Sequence, residues 1–151
     1  MSTDPVKVYD AEQMVVGRLG AKVAKAALLG ENVIIVNAEK AVITGDPRTL
    51  INAWNEKSNI RTSYNPKRGP FHDRRPDKMV RRMIRGMLPW STPRGKAAFK
   101  RIKVYIGVPE QYADAEKIVL EGARYKSLKQ KFITVADLSH ELGWRGPEVE
   151  K

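Results

Sequence analysis

The chain has 151 residues, of which 42% are hydrophobic, enough for one domain with a modest core and too many for wholesale disorder. Its 28 basic and 17 acidic residues give a net charge of +11, and a balance this basic points to a polyanionic partner: nucleic acid, or less often an anionic membrane. Cysteine is absent, which excludes disulfides, thiolate metal sites and thiol catalysis, and no apolar run approaches the about 18 residues a membrane helix needs.

Residues 6–9, VKVY, form the expected first strand. Residues 17–30, GRLGAKVAKAALLG, predict a helix. Leu19, Val23, Ala27 and Leu28 recur at helical spacing, Arg18, Lys22 and Lys25 fall on the opposite face, and Gly30 is the stop. NVIIVN at 32–37 has four consecutive β-branched apolar residues, the mark of a strand buried on both faces. Asp46 and Pro47 read as the N-cap and first residue of a helix whose apolar side is Leu50, Ile51 and Trp54. IRTSY at 60–64 predicts another strand near an edge. Strand, helix, buried strand, helix, strand is the order of a parallel sheet with right-handed crossovers.

A loop at 65–75 follows, with Pro66, Gly69 and Pro70. Residues 77–88 predict a helix with two different faces. Met79, Val80, Met83, Ile84, Met87 and Leu88 form an apolar stripe, and Lys78, Arg81, Arg82 and Arg85 a basic one at i, i+3, i+4 and i+7. Pro89 ends it. Thr92 and Pro93 open a further helix, with Ala98, Phe99 and Ile102 facing in and Lys96, Lys100 and Arg101 facing out. KVYIGV at 103–108 predicts a strand. In the tail, Thr134-x-x-Asp137 is a capping pattern ahead of Leu138 and Leu142, Gly143 the stop and Trp144 a packing anchor.

The charge is not spread evenly. Residues 61–103 hold fourteen basic and two acidic residues, a net of +12, and the rest of the chain nets −1. A near-neutral body thus carries one basic segment. A solvated helix face ordinarily mixes its signs, because Glu–Lys pairs at i, i+4 stabilise it and like charges cost a few tenths of a kcal/mol per pair. The preference for Arg also matters, since a planar guanidinium grips phosphate bidentately and stacks on bases. Nucleic acid is therefore favoured over a membrane surface, a calmodulin-like partner or a purely solvated face. RNA is favoured over DNA, because no helix-turn-helix or zinc-finger grammar is present and an extended loop-and-helix strip suits irregular folded RNA.

No chemistry competes with this reading. Gly17 and Gly20 form only G-x-x-G, short of the dinucleotide fingerprint, and read as a tight helix start with close packing. His72 and His140 have no metal-ligand spacing; His72, beside Phe71 in an arginine-flanked loop, could alternatively stack on a base. No catalytic set, cofactor motif or metal site is expected.

Four stretches carry a family resemblance: RGPFH at 68–72, IRGMLP at 84–89, RGKAAFKRIKVYIGVP at 94–109 and HELGW at 140–144. With the N-terminal GRLGAKVAKAALLGENVIIVNAEKAVITG, they resemble the archaeal and eukaryotic branch of the large-subunit ribosomal protein thirteen family over nearly the whole chain. The resemblance implies a single domain over 1–151, α/β in class: three layers, α/β/α, around a four-stranded parallel sheet of order 3214. To this it adds a basic RNA-binding segment at 61–103 and a helical tail at 110–151. It implies no enzymatic activity, no cofactor, no small-molecule substrate and no membrane. Binding to large-subunit ribosomal RNA beside neighbouring ribosomal proteins, a cytoplasmic location and a role in early subunit assembly follow from it. The chain's extent suits an archaeal source. RNA-facing roles are implied for Lys67, Arg68, Phe71, His72, Arg74 and Arg75 in the loop, and for Arg85, Arg94 and Lys96 in the motifs. The basic stripes add Lys78, Arg81, Arg82, Lys100 and Arg101.

Overall fold

The computed structural model describes residues 6–126 and 130–146. At the centre is a parallel sheet of β1 (Val6–Asp10), β2 (Asn32–Val36), β4 (Ile102–Val104) and β5 (Lys117–Ile118). Its spatial order is β4-β2-β1-β5; counted within this sheet alone that is third, second, first, fourth, the expected order.

The run Val33–Val36 is central because it can be apolar on both sides. Val33 and Ile35 face the main core with Leu19, Val23, Ile84 and Ile102. Ile34 and Val36 face the other way with Val8, under Tyr105, Tyr112 and Ala115. Helices α1 (Val16–Leu28), α3 (Pro76–Arg85) and α4 (Pro93–Arg101) cover the first face. The second is covered around the single 3₁₀ turn Glu110–Tyr112, so the third layer is thin.

Local signals fix the helix ends. α1 closes through Gly30, at φ 102°, with the Glu31 amide donating to Ala26 and that of Gly30 to Ala27, a left-handed cap that glycine adopts without strain. α2 (Pro47–Asn59) starts at Asp46, whose carboxylate accepts from the Thr49 amide at 3.4 Å. Lys131 lies 2.9 Å from the same carboxylate. Its ammonium, helped by the Thr49 amide, holds the Asp46 carboxyl below the ordinary carboxylate value. Thr92 caps α4 by accepting from Gly95 at 3.2 Å, and Thr134 caps α5 (Val135–Glu141) by accepting from Asp137 at 3.1 Å.

Three expectations are corrected. Residues 60–64, expected as a strand near an edge, are not a strand: Ile60 and Tyr64 are 58% and 92% exposed, and the edges of the main sheet are β4 and β5. A β-branched pattern without a partner strand does not make a strand. The short β3 (Val42–Thr44) pairs antiparallel with β6 (Phe132–Thr134) outside the main sheet. The helix expected over 77–88 is α3, which ends at Arg85; residues 86–88 continue as a tight turn, with the Met87 and Leu88 amides donating to Ile84 and Arg85. In the segment expected as a helical tail, two strands and two 3₁₀ turns precede the seven-residue α5, and residues 127–129 and 147–151 lie outside the described residues.

A satellite cluster of Met79, Ile133, Leu138 and Leu142, flanked by Ile43, Leu50, Ile51 and Trp54, ties α2, α3 and α5 together. Apart from Lys103, which lies on β4, the basic segment falls inside one connection, the crossover from β2 to β4.

Candidate nucleic-acid interface

The candidate interface follows from how α3 is pinned. Met79, Val80, Ile84 and Leu88 are all buried, and this fixes the rotation of the helix about its axis. Lys78 and Arg82 are left exposed, and Arg81 and Arg85 half-buried. Met83 is half-buried and Met87 is 40% exposed, so the apolar stripe is narrower than its spacing suggests. Against the underside of the turn after α3, a Cβ on Gly20 would sit 2.9 Å from the Met87 sulfur. Gly20 thus serves close packing of α1, and Gly17 faces open space.

On the outer side the chain turns at Pro89 and brings α4 alongside α3. A Cβ on Gly95 would collide with the Pro89 carbonyl, so only glycine permits this approach. The turn places Trp90 and Phe99 edge to face, with centroids 5.2 Å apart. The Arg85 guanidinium lies 3.9 Å from the Trp90 ring centroid, and that of Arg81 lies 4.3 Å from Phe99. The two arginines and two rings form a continuous mat. Arg81 is held further by donating from Nε to the Ile102 carbonyl at 3.2 Å and from Nη2 to that of Phe99 at 3.4 Å. Stacked and tethered guanidiniums lose less conformational freedom on binding than free ones. Two shallow depressions of about 370 and 390 Å³ adjoin this mat, and both are lined by Lys78 and Arg81. Lys103 and Tyr105 extend the second.

The cations assigned from the sequence divide into two groups. Lys78, Arg82, Lys96 and Lys100 are exposed and, among the described residues, make no ion pair or hydrogen bond with protein. Lys67 and Arg68 are likewise exposed, on the 3₁₀ turn Pro66–Arg68, which Asn65 caps by accepting from the Lys67 amide at 3.1 Å. Other cations are partly engaged in the fold. Arg94 donates to the Leu28 carbonyl at 3.3 Å and Arg101 to that of Ala27 at 3.4 Å, where they oppose the negative end of α1. Arg75 makes a two-pronged pair with Asp77, both contacts at 3.2 Å, so this carboxylate serves Arg75 rather than Arg81. Arg74 lies against Gly143 after α5.

Phe71 and His72 diverge. Phe71 is 67% exposed. His72 turns inward, where its Nε2 is shielded from solvent and has no hydrogen-bond partner, a state that costs about 1–3 kcal/mol when it persists.

Trp90, Lys103 and Tyr105 were not assigned from the sequence. Trp90 meets Arg85 and Phe99 only when the Pro89 turn closes, and its one linear signal was an aromatic directly after a proline-terminated basic helix; Lys103 and Tyr105 come beside Lys78 and Arg81 through β4. Among the described residues no helix is long and apolar enough to cross a membrane, and no group of three or more His, Asp or Glu could hold a metal.

Residues 4–111 match the model of the family described as ribosomal protein L13. The chain is 43% identical over 143 residues to the large ribosomal subunit protein uL13 of Methanopyrus kandleri, covering 93% of this chain and 88% of that one. It is 46% identical over 137 residues to the protein of the same name from Methanocaldococcus jannaschii, covering 90% and 96%. A third relative, from Saccharolobus solfataricus, is 38% identical over 144 residues, covering 95% and 96%.

Proposed function

The chain belongs to the ribosomal protein L13 family, and we propose that it is a structural component of the large ribosomal subunit that grips ribosomal RNA through the outer faces of α3 and α4 and the 65–75 loop. It is not an enzyme, and its place of work is the cytoplasmic large subunit. Binding there supports early assembly of the subunit beside neighbouring ribosomal proteins.

One observation carries this reading: exposed cations without protein partners among the described residues alternate with an ordered mat of Arg81, Phe99, Trp90 and Arg85. The free cations neutralise phosphates and release counterions, and the rings and guanidiniums offer π-faces to unstacked bases. Loop and helix form an extended strip, which suits folded RNA read by shape and backbone.

The test is filter binding to a large-subunit ribosomal RNA fragment across a salt series, beside an unrelated RNA of equal length. A variant with Lys78, Arg82, Lys96 and Lys100 all changed to Gln keeps every buried contact. It is expected to lose most of its affinity and to show a slope flatter by about three units of log affinity per log salt. Wild-type affinity and slope in that variant would overturn the assignment.

A further inference from the structure

Beside the basic strip lies a cavity of about 140 Å³, enclosed by α2, the 65–75 loop and α3. Trp54 with the thioethers of Met79 and Met83 gives it apolar walls. Lys57 and Arg82, both exposed, add positive charge at its opening. The Lys57 ammonium sits 5.2 Å from the Trp54 ring centroid. His72 and Asp73 complete the lining, so two cations face one carboxylate and the site keeps a net positive charge; the His72 Nε2 is the one buried side-chain polar atom without a partner among the described residues. A histidine in a purely packing role finds a hydrogen-bond partner. Its terminal torsion is soft, so a small rotation presents Nε2 to a ligand in the cavity.

Size and charge narrow the ligand. A cavity of about 150 Å³ takes one benzene ring, so this site suits a single six-membered ring and not a fused pair. Arg82 also borders the depression beside Trp90, so cavity and strip share a wall. An apolar side chain from a neighbouring protein would leave the His72 nitrogen unpaired and one of the two cations, Lys57 and Arg82, unmatched by the single carboxylate of Asp73.

We infer that the cavity receives one unstacked pyrimidine nucleotide of the bound RNA. Its ring lies against Trp54, an edge group hydrogen-bonds His72 Nε2, and its phosphate sits between Lys57 and Arg82. The inference rests on the strip being an RNA-binding surface, and the experiment separates the two. The full chain is bound to a large-subunit ribosomal RNA fragment transcribed with 5-iodouridine or 5-iodocytidine, irradiated, and the crosslinked residues are mapped by mass spectrometry. Crosslinks to Trp54 or His72 are expected with at least one of the two. His72→Phe keeps the ring and loses the nitrogen; it should weaken binding about 2- to 10-fold at constant salt slope. Trp54→Ala, checked for folding by circular dichroism, should weaken it about 5- to 150-fold. Crosslinks confined to Phe71, Trp90 and Phe99, with His72→Phe binding as wild type, would overturn the cavity assignment and leave the strip intact. That is also the result expected if a neighbouring protein fills the cavity. Failure of the wild-type chain to retain the RNA at all would overturn both readings.

Discussion

Arg81 and Arg82 are adjacent, carry the same charge and lie on the same basic stripe, yet their removal should have different consequences. Arg82 is exposed and unpartnered among the described residues. Arg82→Ala should leave the unfolding free energy unchanged to within about 0.5 kcal/mol. It should flatten the log–log salt dependence of RNA binding by about 0.7–0.9, the share of one phosphate contact. Arg81 donates two hydrogen bonds, at 3.2 and 3.4 Å, and covers Phe99. Hydrogen bonds from a charged donor contribute about 1.5–3 kcal/mol each when short and buried. These are long and half-exposed, so together they should contribute about 1–2 kcal/mol, and the stacking adds about 0.5–1. Arg81→Ala is therefore expected to destabilise by about 1.5–3 kcal/mol and lower Tm by roughly 2–4 °C per kcal/mol. Arg81→Lys should keep most of the salt slope while losing most of that stability, because lysine lacks the planar fork. Urea unfolding gives the first quantity and filter binding from low to high salt the second. Equal destabilisation by the two alanine variants would refute the division of labour, and so would an unchanged slope in Arg82→Ala.

Gly95→Ala should cost about 1–3 kcal/mol, since the added methyl meets the Pro89 backbone carbonyl, which cannot swing aside as a side chain can; an unchanged urea midpoint would show that the turn yields freely. Met79→Ala should cost about 2–5 kcal/mol, because its side chain is fully buried in the satellite cluster and its sulfur accepts the Ser139 hydroxyl at 3.2 Å; binding of the variant to anionic vesicles with no loss of thermal stability would instead mean that the α3 stripe serves a membrane. Asp46 is held below its ordinary value of 3.8, so its ionised form stabilises the fold above that pH and this contribution is lost as pH falls through the lowered value. Lys131→Met should therefore weaken the dependence of Tm on pH below about 4, and an identical acid limb in both proteins would exclude the pair as its source.

The parts of the fold legible in the sequence were those whose signal is local. Four consecutive β-branched residues at Val33–Val36 can only be covered on two sides, and Asp46-Pro47, Thr92-Pro93 and Thr134-x-x-Asp137 each announce a helix start within four residues. Residues 60–64 misled because β propensity reports compatibility with a sheet and not the presence of a neighbour. β3 escaped notice because three residues are too few to show a period, and its partner Phe132–Thr134 lies far along the chain. The same division holds for the interface. The basic stripe of α3 repeats at helical spacing and reads directly. The engagement of Arg94 and Arg101 could not be read, because the carbonyls they reach belong to residues 66 and 74 positions earlier. The mat was hidden for the same reason, since Trp90 and Phe99 meet only through a turn that depends on Gly95 lacking a side chain.

The position of the charged segment inside the β2–β4 crossover constrains the order of events during synthesis. As the chain leaves the ribosome that makes it, β1, α1 and β2 emerge first, and one edge of β2 stays open until residue 104 has been made. The cationic stretch comes out in that interval, ahead of the strand that seals the edge, and its like charges oppose the compaction that sealing requires. If RNA neutralises them, as proposed, the barrier to closing the sheet should fall. Nascent chains that meet their RNA early should then mature faster than those that do not, and the ligand would act as a folding template for its own receptor.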